Sequence, residues 1–289
     1  MNNNSQLSEL VNDIERCVSA LGVMYRIFSR EKSASSLNKK IDRDPKKYNS
    51  EKKIQDLIGI RIALYFVDDI EIVQKALKRN FDLLEKDSQV DHLSIDTFKA
   101  VRCNLVFRLK DSFDPLINYE GPHAHVIDNT FEVQIRTILS EGWHEVDHDL
   151  RFKCKDDWTG FDKENRAFNG VYASLETSEW TMLKLFEDLA YKHYKLRNIK
   201  AMFNNKFRLR MQYSDADETI MEYLSGNDEA LKLVYRYERT KLFDILSARP
   251  KIPITLANLV FIMNIDGFDI HELNEITPDL IFKWWRAAR

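Results

Sequence analysis

The segment IGIRIALYF, residues 58–66, constrains the fold of this chain more than any other stretch. It is nearly all apolar and rich in isoleucine, so it reads as a strand buried on both faces. Two further strands are predicted, VRCNLVFRL at 101–109 and FEVQIRT at 131–137. Helical spacing covers residues 6–29, where Leu7, Leu10, Val11, Ile14, Cys17, Val18 and Leu21 recur at steps of three and four. Helices are also predicted at 33–41 and, behind an acidic cap, at 68–80. The polar stretch 42–53 with Pro45 is a loop, and residues 110–130, with Pro115, Gly121 and Pro122, form a loop or hairpin excursion. From residue 138 the pattern is helical almost to the end. Strands followed by helices, without strict βαβ alternation, predict an α+β fold: a mixed β-sheet flanked by helices. The polar run near 205–215 divides the chain into a domain at 1–205 and a helical C-terminal extension at 206–289.

Composition narrows the class. Eight glycines and six prolines in 289 residues fall well below ordinary usage, which fits a helix-rich chain with few turns. Forty-three basic and 46 acidic side chains leave a net charge of −3, excluding a uniformly basic nucleic-acid coat but not a local basic patch. Cys17, Cys103 and Cys154 have neither paired spacing nor histidines at ligand intervals, so neither a disulfide framework nor a zinc site is expected. The first residues lack the apolar core of a secretion signal, and no run reaches membrane-spanning length. A cytoplasmic protein with no membrane partner is expected.

Three groups of residues have chemical potential. Lys32, Ser36, Lys40 and Arg43 follow one another at steps of four, four and three, and so line one helix face while Leu37 and Ile41 anchor another. Three cations and a hydroxyl suit a polyphosphate, though the same pattern describes a solvated basic face. FEVQIRT alternates, with Phe131, Val133 and Ile135 to one side and Glu132, Gln134 and Arg136 to the other: either the wet face of a sheet or a carboxylate, an amide and a guanidinium presented into a cleft. Asp56, just before the buried strand, is either a turn residue or the partner of Glu132 in holding Mg²⁺, a hard cation that prefers oxygen ligands and bound phosphates. The helix after FEVQIRT has Trp143, Val146 and Leu150 on one face and Glu141, Glu145, His148, Asp149 and Phe152 on another, so His148 sits among acids.

Taken in order, Arg30-x-Lys32-x3-Ser36-x3-Lys40, DLIGIRI at 56–62, FEVQIRT at 131–137 and WHEVDHDLRFK at 143–153 resemble the RelA/SpoT nucleotidyl-pyrophosphate synthetases over roughly residues 10–200. The resemblance implies that family's synthetase fold and transfer of pyrophosphate from ATP to the 3′-hydroxyl of a nucleotide. It implies that Arg30, Lys32, Ser36 and Lys40 bind the ATP phosphates, with Arg61 beside them, and that Asp56 and Glu132 serve Mg²⁺ and activation of the hydroxyl. It also implies that Arg102, Gln134, Arg136, Glu145 and His148 line the acceptor side, with Lys153 completing the helix signature.

One stretch departs from the family pattern. Where relatives carry a YRSxH-type segment whose tyrosine stacks on the acceptor guanine, this chain has FKAVRCNL at 98–105: Val101 replaces the tyrosine, Arg102 is kept and no histidine follows. Loss of base stacking, worth about 1–3 kcal/mol, keeps several functions in view. The first is a (p)ppGpp synthetase acting on guanosine nucleotides. Another is the same chemistry on the tRNA 3′ end or an adenine nucleotide, as a growth-arresting toxin held by a neutralising partner. The last is a non-enzymatic nucleotide sensor. The chain resembles small stand-alone synthetases without a hydrolase domain, and the family allows homo-oligomers. In the extension, Lys206, Arg208 and Arg210 form either a strip for RNA phosphate or a solvated linker face, and Trp284 and Trp285 are expected as core or interface aromatics.

Overall fold

In the computed structural model of the chain, residues 3–44, 47–49, 52–91, 98, 102–110 and 123–287 are described. Two compact units emerge, Met1–Cys17 with Tyr25–Glu179 and Val18–Met24 with Trp180–Arg289.

The first unit is built on a mixed five-stranded sheet. The elements run α1 (Asn3–Ser19), β1 (Tyr25–Glu31), α2 (Ala34–Arg43), β2 (Ile58–Leu64), α3 (Asp69–Asn80), β3 (Gln89–Val90), β4 (Cys103–Arg108), β5 (Thr130–Thr137) and α4 (Ile138–Val146). A π-helical turn at Asp147–Phe152 follows, and then the long helix α5 (Asp162–Lys195) begins. Strand order is β1-β2-β5-β4-β3; β2 and β5 pair in parallel and every other pair is antiparallel. The expected α+β fold, a mixed sheet flanked by helices, is the one present.

The register separates two chemically different faces, because residues directly opposite in a ladder share a side. Ile58, Ile60, Ile62, Val133, Ile135, Leu105, Phe107 and Phe131 are buried on one face. There Phe107 stacks on Phe131 at 5.4 Å and Phe81 meets both rings at 5.8 Å. Helix α3 covers this side with Ile72, Val73, Ala76 and Leu77, and Cys17 of α1 donates from Sγ to the Ala76 carbonyl. The other face carries Arg30, Arg61, Glu132, Gln134 and Arg136. Burial of β2 on both faces is therefore corrected: Gly59 and Arg61 are only half-buried, on the polar side. An apolar run signals burial but not which alternate positions open onto a cleft.

The helix expected over 6–29 is also corrected, because α1 stops at Ser19 and residues 25–31 form the edge strand β1. Gly22 has φ of +72°, a left-handed conformation that ends a helix at little steric cost in glycine alone. Val101 lies outside the described residues, as does most of the excursion expected at 110–130; its described end forms a short 3₁₀ turn at Ala124–Val126.

The second unit is helical: the remainder of α5, α6 (Ile199–Phe207), α7 (Ala216–Gly226), α8 (Asp228–Arg236), α9 (Arg239–Ser247), α10 (Leu256–Met263), α11 (His271–Ile276) and α12 (Asp279–Arg286). Every residue of α10 except Asn258 is buried, as expected of a helix surrounded by others. Its first turn is held by Asp217, whose buried carboxylate accepts from the Ala257 amide at 2.8 Å. The 18–24 segment is stitched in by the Arg210 amide donating to the Gly22 carbonyl at 2.7 Å, and a Cβ at Gly22 would press on Ile254 at 3.2 Å. The supposed basic strip does not form, since Arg208 is buried and Lys206 is half-buried over the Tyr235 ring. Trp284 is a core aromatic, donating to the Pro250 carbonyl at 2.7 Å. Among the described residues, no helix is long and apolar enough to cross a membrane.

Helix α4 follows β5 with no intervening loop. Thr137 caps it, accepting from the Ser140 amide at 3.1 Å while Ser140 Oγ accepts from the Thr137 amide at 3.1 Å. The Thr137 hydroxyl also donates to the buried Glu179, whose carboxyl is pushed up by burial. Thr137→Ala should destabilise the protein by about 1–3 kcal/mol through the lost cap and the orphaned carboxyl. Thr137→Ser should recover most of that loss; urea unfolding of the three proteins measures it.

Candidate functional site

The polar sheet face becomes a site because α2 and the segment 54–57 preceding β2 are pinned against it. Leu37 and Ile41 of α2 enter a buried cluster with Ile54, Leu57, Val126 and Ile127. The Ile54 amide donates to the Val126 carbonyl at 2.7 Å, the Lys32 amide to the Leu57 carbonyl at 2.8 Å, and the Thr130 hydroxyl to the Gln55 carbonyl at 3.1 Å. These bonds fix Asp56 between two lysines. Lys32 Nζ lies 2.5 Å from Asp56 Oδ2, and Lys40 Nζ lies 2.8 Å from both carboxylate oxygens.

Burial works against all three charges, and their mutual attraction decides the outcome differently for each. For Lys32 burial wins and its ammonium is held below the ordinary lysine value, despite Asp56. For Lys40 and Asp56 burial is outweighed by the pairing, so Lys40 is held up and Asp56 is held below the usual carboxylate range. Glu132 is pushed up by burial and then by the negative charge of Asp56, while Gln134 donates to it at 3.2 Å.

Arg30, Asp56, Arg61, Glu132 and Gln134 line one cavity with Phe28 and Gly59. Gly59 is opposite Arg30 in the β1–β2 ladder and opposite Glu132 in the β2–β5 ladder, and a Cβ there would meet the Arg30 side chain at 3.8 Å. Ser36 is exposed in the first turn of α2, where its hydroxyl accepts from Ser33 at 2.9 Å.

Toward α4 the guanidiniums are paired. Arg61 donates to Glu141 at 2.9 Å and also to Glu145, and Arg136 donates to the other Glu141 oxygen at 2.8 Å. Glu145 thus lies on the Arg61 side. His148 is half-exposed in the π-helical turn, bonded to Asp149 at 2.9 Å and stacked on Phe152. Arg102 is exposed and bonds Asp91 through Nε at 3.1 Å.

A second cavity, about 380 Å³, is lined by Arg102, Arg136, Trp143, His144, Arg151 and Tyr172 among others. His144 is a new participant. Burial, then Arg136, Arg61 and Arg102, press its imidazole down to about 4, so it is neutral at ordinary pH. Glu141 is also promoted, from a member of an acidic helix face to the hub between Arg61 and Arg136. Two arginines on neighbouring strands, both on the polar face, were the available signal that an anion must meet them.

Residues 29–157 match the family model described as "Region found in RelA / SpoT proteins". The chain carries a RelA/SpoT region. Over 129 residues it is 26% identical to the GTP pyrophosphokinase YjbM of Bacillus subtilis (strain 168), covering 44% of this chain and 56% of that protein. The chain therefore spans just over half the length of that relative. The crystal structure of small alarmone synthetase 1 from Bacillus subtilis overlays with a TM-score of 0.46 at 19% identity, covering 63% of this chain and 91% of that one. The same synthetase bound to its product pppGpp gives 0.45 at 19% identity, over 63% and 92%. Of the cavity-lining residues named above, all but Phe28 and Tyr172 fall within the RelA/SpoT region.

The electrostatics of the RelA/SpoT region make a direct prediction. Asp56→Asn removes a negative charge facing Glu132 and frees Lys32 and Lys40, and both changes favour the Glu132 carboxylate. Glu132 should therefore titrate at lower pH in Asp56→Asn than in the parent, as read by carboxyl ¹³C NMR. An unchanged midpoint would show that desolvation alone raises it.

Proposed function

We propose that the RelA/SpoT region transfers pyrophosphate from ATP to the 3′-hydroxyl of a purine nucleotide, with a guanosine nucleotide as the acceptor. The observation that carries this reading is the placement of Asp56 between Lys32 and Lys40, in a cavity shared with Arg30 and Glu132. A triphosphate needs this concentration of cations, and the 3′-hydroxyl needs a nearby carboxylate. The name of the YjbM relative, a GTP pyrophosphokinase, supports the guanosine acceptor.

Asp56 and Glu132 suit Mg²⁺ as hard oxygen donors. No group of three His, Cys, Asp or Glu side chains able to hold a metal occurs among the described residues. A two-carboxylate site fits an ion that usually keeps waters and substrate phosphates in its shell. When bound there, Mg²⁺ supplies positive charge against the phosphate oxygens.

The protein's own groups do the rest. Lys32 and Lys40 exchange Asp56 for phosphate oxygens, and Arg30 adds a third cation from β1. Glu132, lifted toward the working pH of a general base, takes the 3′-hydroxyl proton as that oxygen bonds the β-phosphorus. The bond from the β-phosphorus to the bridging oxygen breaks, and AMP leaves with the electron pair.

With ATP labelled in its terminal phosphate, label should move to GDP or GTP. Glu132→Gln should lower the rate about a hundredfold or more while circular dichroism shows an intact fold. In the metal-free protein Glu132 should titrate above the ordinary glutamate value, as read by carboxyl ¹³C NMR, and added Mg²⁺ should lower that midpoint. Lys40→Ala should weaken ATP binding about tenfold. Label appearing instead on AMP, ADP or tRNA would redirect the chemistry to that acceptor, and label on none would overturn it.

A further inference from the structure

One aromatic ring gathers two ammonium groups beside Asp56. Lys40 Nζ and Lys47 Nζ each lie 5.6 Å from the centroid of the Tyr48 ring. At that distance a cation is attracted by the electron-rich face of an aromatic side chain. The ring is itself held in place. Tyr48 packs, partly buried, on the apolar cluster that Leu37 and Ile41 of α2 enter. Backbone bonds flank it on both sides, the Lys47 amide donating to the Asp44 carbonyl at 3.1 Å and the Asn49 amide to the Lys52 carbonyl at 3.0 Å. Tyr48 is therefore a fixed surface, whereas each lysine charge sits at the end of a flexible stem.

The two lysines are not equivalent. Lys40 is half-buried and ion-paired with Asp56. Lys47 is exposed and has no ion-pair partner among the described residues. Like charges gathered at one ring repel each other, and an anion that meets both relieves the repulsion. Asp56 meets Lys40 alone. A polyphosphate has the length and the charge to meet Lys40 beside Asp56 and Lys47 further out. When phosphate takes the place of Asp56, the ring still holds the Lys40 ammonium.

We infer that Tyr48 is a positioning residue of the phosphate site: it seats Lys40 where a donor phosphate displaces Asp56 and brings Lys47 to the same polyphosphate as a further cation. The inference rests on the pyrophosphate-transfer reading for the identity of the donor, but its test is binding and needs no acceptor.

Isothermal titration of the full chain with ATP and Mg²⁺ provides that test. Tyr48→Leu should weaken ATP binding about fivefold, and Tyr48→Phe, which keeps the ring, should recover most of that loss. Lys47→Ala, which removes an exposed charge and no core packing, should weaken binding about threefold. In a Lys40→Ala background Tyr48→Leu should have a smaller effect than in the parent, because a residue that acts through Lys40 then has less to position. Thermal unfolding establishes that each variant is folded. Parent affinity in Tyr48→Leu or in Lys47→Ala, an equal loss in Tyr48→Phe, or an undiminished effect of Tyr48→Leu in the Lys40→Ala background would each overturn the inference. Binding with the expected pattern but no label transfer would overturn the transfer reading alone. Label transfer with ATP affinity indifferent to Tyr48→Leu would overturn this inference alone, and a parent chain that binds no ATP would overturn both.

Discussion

The parallel pairing of β2 with β5 is the constraint on which the site depends. It sets Gly59 opposite Glu132, Arg61 opposite Gln134 and Ala63 opposite Arg136. Because side chains alternate along a strand, a shift of one residue in that register would send Glu132, Gln134 and Arg136 into the aromatic core and bring Val133 and Ile135 to the cleft. Neither set tolerates the exchange: one would bury charges, the other would expose Phe131 and its neighbours. The core thereby enforces the placement of the polar residues, and stability and site geometry are specified by the same hydrogen-bond ladder.

The charges on that face are arranged in two compensated groups. Asp56 neutralises Lys32 and Lys40 at one end, and Glu141 and Glu145 neutralise Arg61 and Arg136 at the other. Half-buried ions are costly unless paired, so pairing allows this many charges in one cleft without a ligand. Pairing of this kind also holds the groups in place before substrate arrives. In the reaction proposed above, the carboxylate of Asp56 and the ammonium groups around it need only exchange partners, with little rearrangement of the chain. Glu132 stands outside these pairs: among the described residues it has no ion-pair partner, and burial and then Asp56 push its carboxyl up, which suits the proton acceptor proposed above.

Much of this was legible because it is local. The alternation of FEVQIRT yielded the correct division of β5, whereas Lys32, read as the first cation of the helix face, precedes the Ser33 cap of α2 and is joined to Lys40 through Asp56. What escaped prediction depended on distant contacts or on backbone shape. Strand β1 was hidden because Val18 and Leu21 continue the apolar spacing of α1, whereas the left-handed Gly22 stops the helix just after them. Glu141 resembled any acid on a wet helix face until β2 and β5 brought Arg61 and Arg136 to it, 80 residues away for Arg61. His144, next to the core residue Trp143 on α4, sits at the margin between faces, where a helical period assigns neither core nor surface. The resemblance to RelA/SpoT synthetases rests on the local motifs, which is why it identified the region without indicating these residues.

The junction between β5 and α4 converts strand register into helix position. A loop of even a few residues would let α4 slide or rotate relative to the sheet, but the helix starts at Ile138, directly after Thr137. Thr137 and Ser140 cap each other's backbone, and Glu179 holds the Thr137 hydroxyl from α5. With the first turn fixed, Glu141 comes one turn after the cap, where it reaches Arg136 on the strand just left and Arg61 on the neighbouring one. Its carboxylate near the helix start also gains from the helix dipole. Three residues further on, the same helix presents His144 to the second cavity. Glu132 on β5 and His144 on α4 thus belong to one continuous, doubly anchored segment, and the spacing between the proposed proton acceptor and the second cavity is built into the backbone.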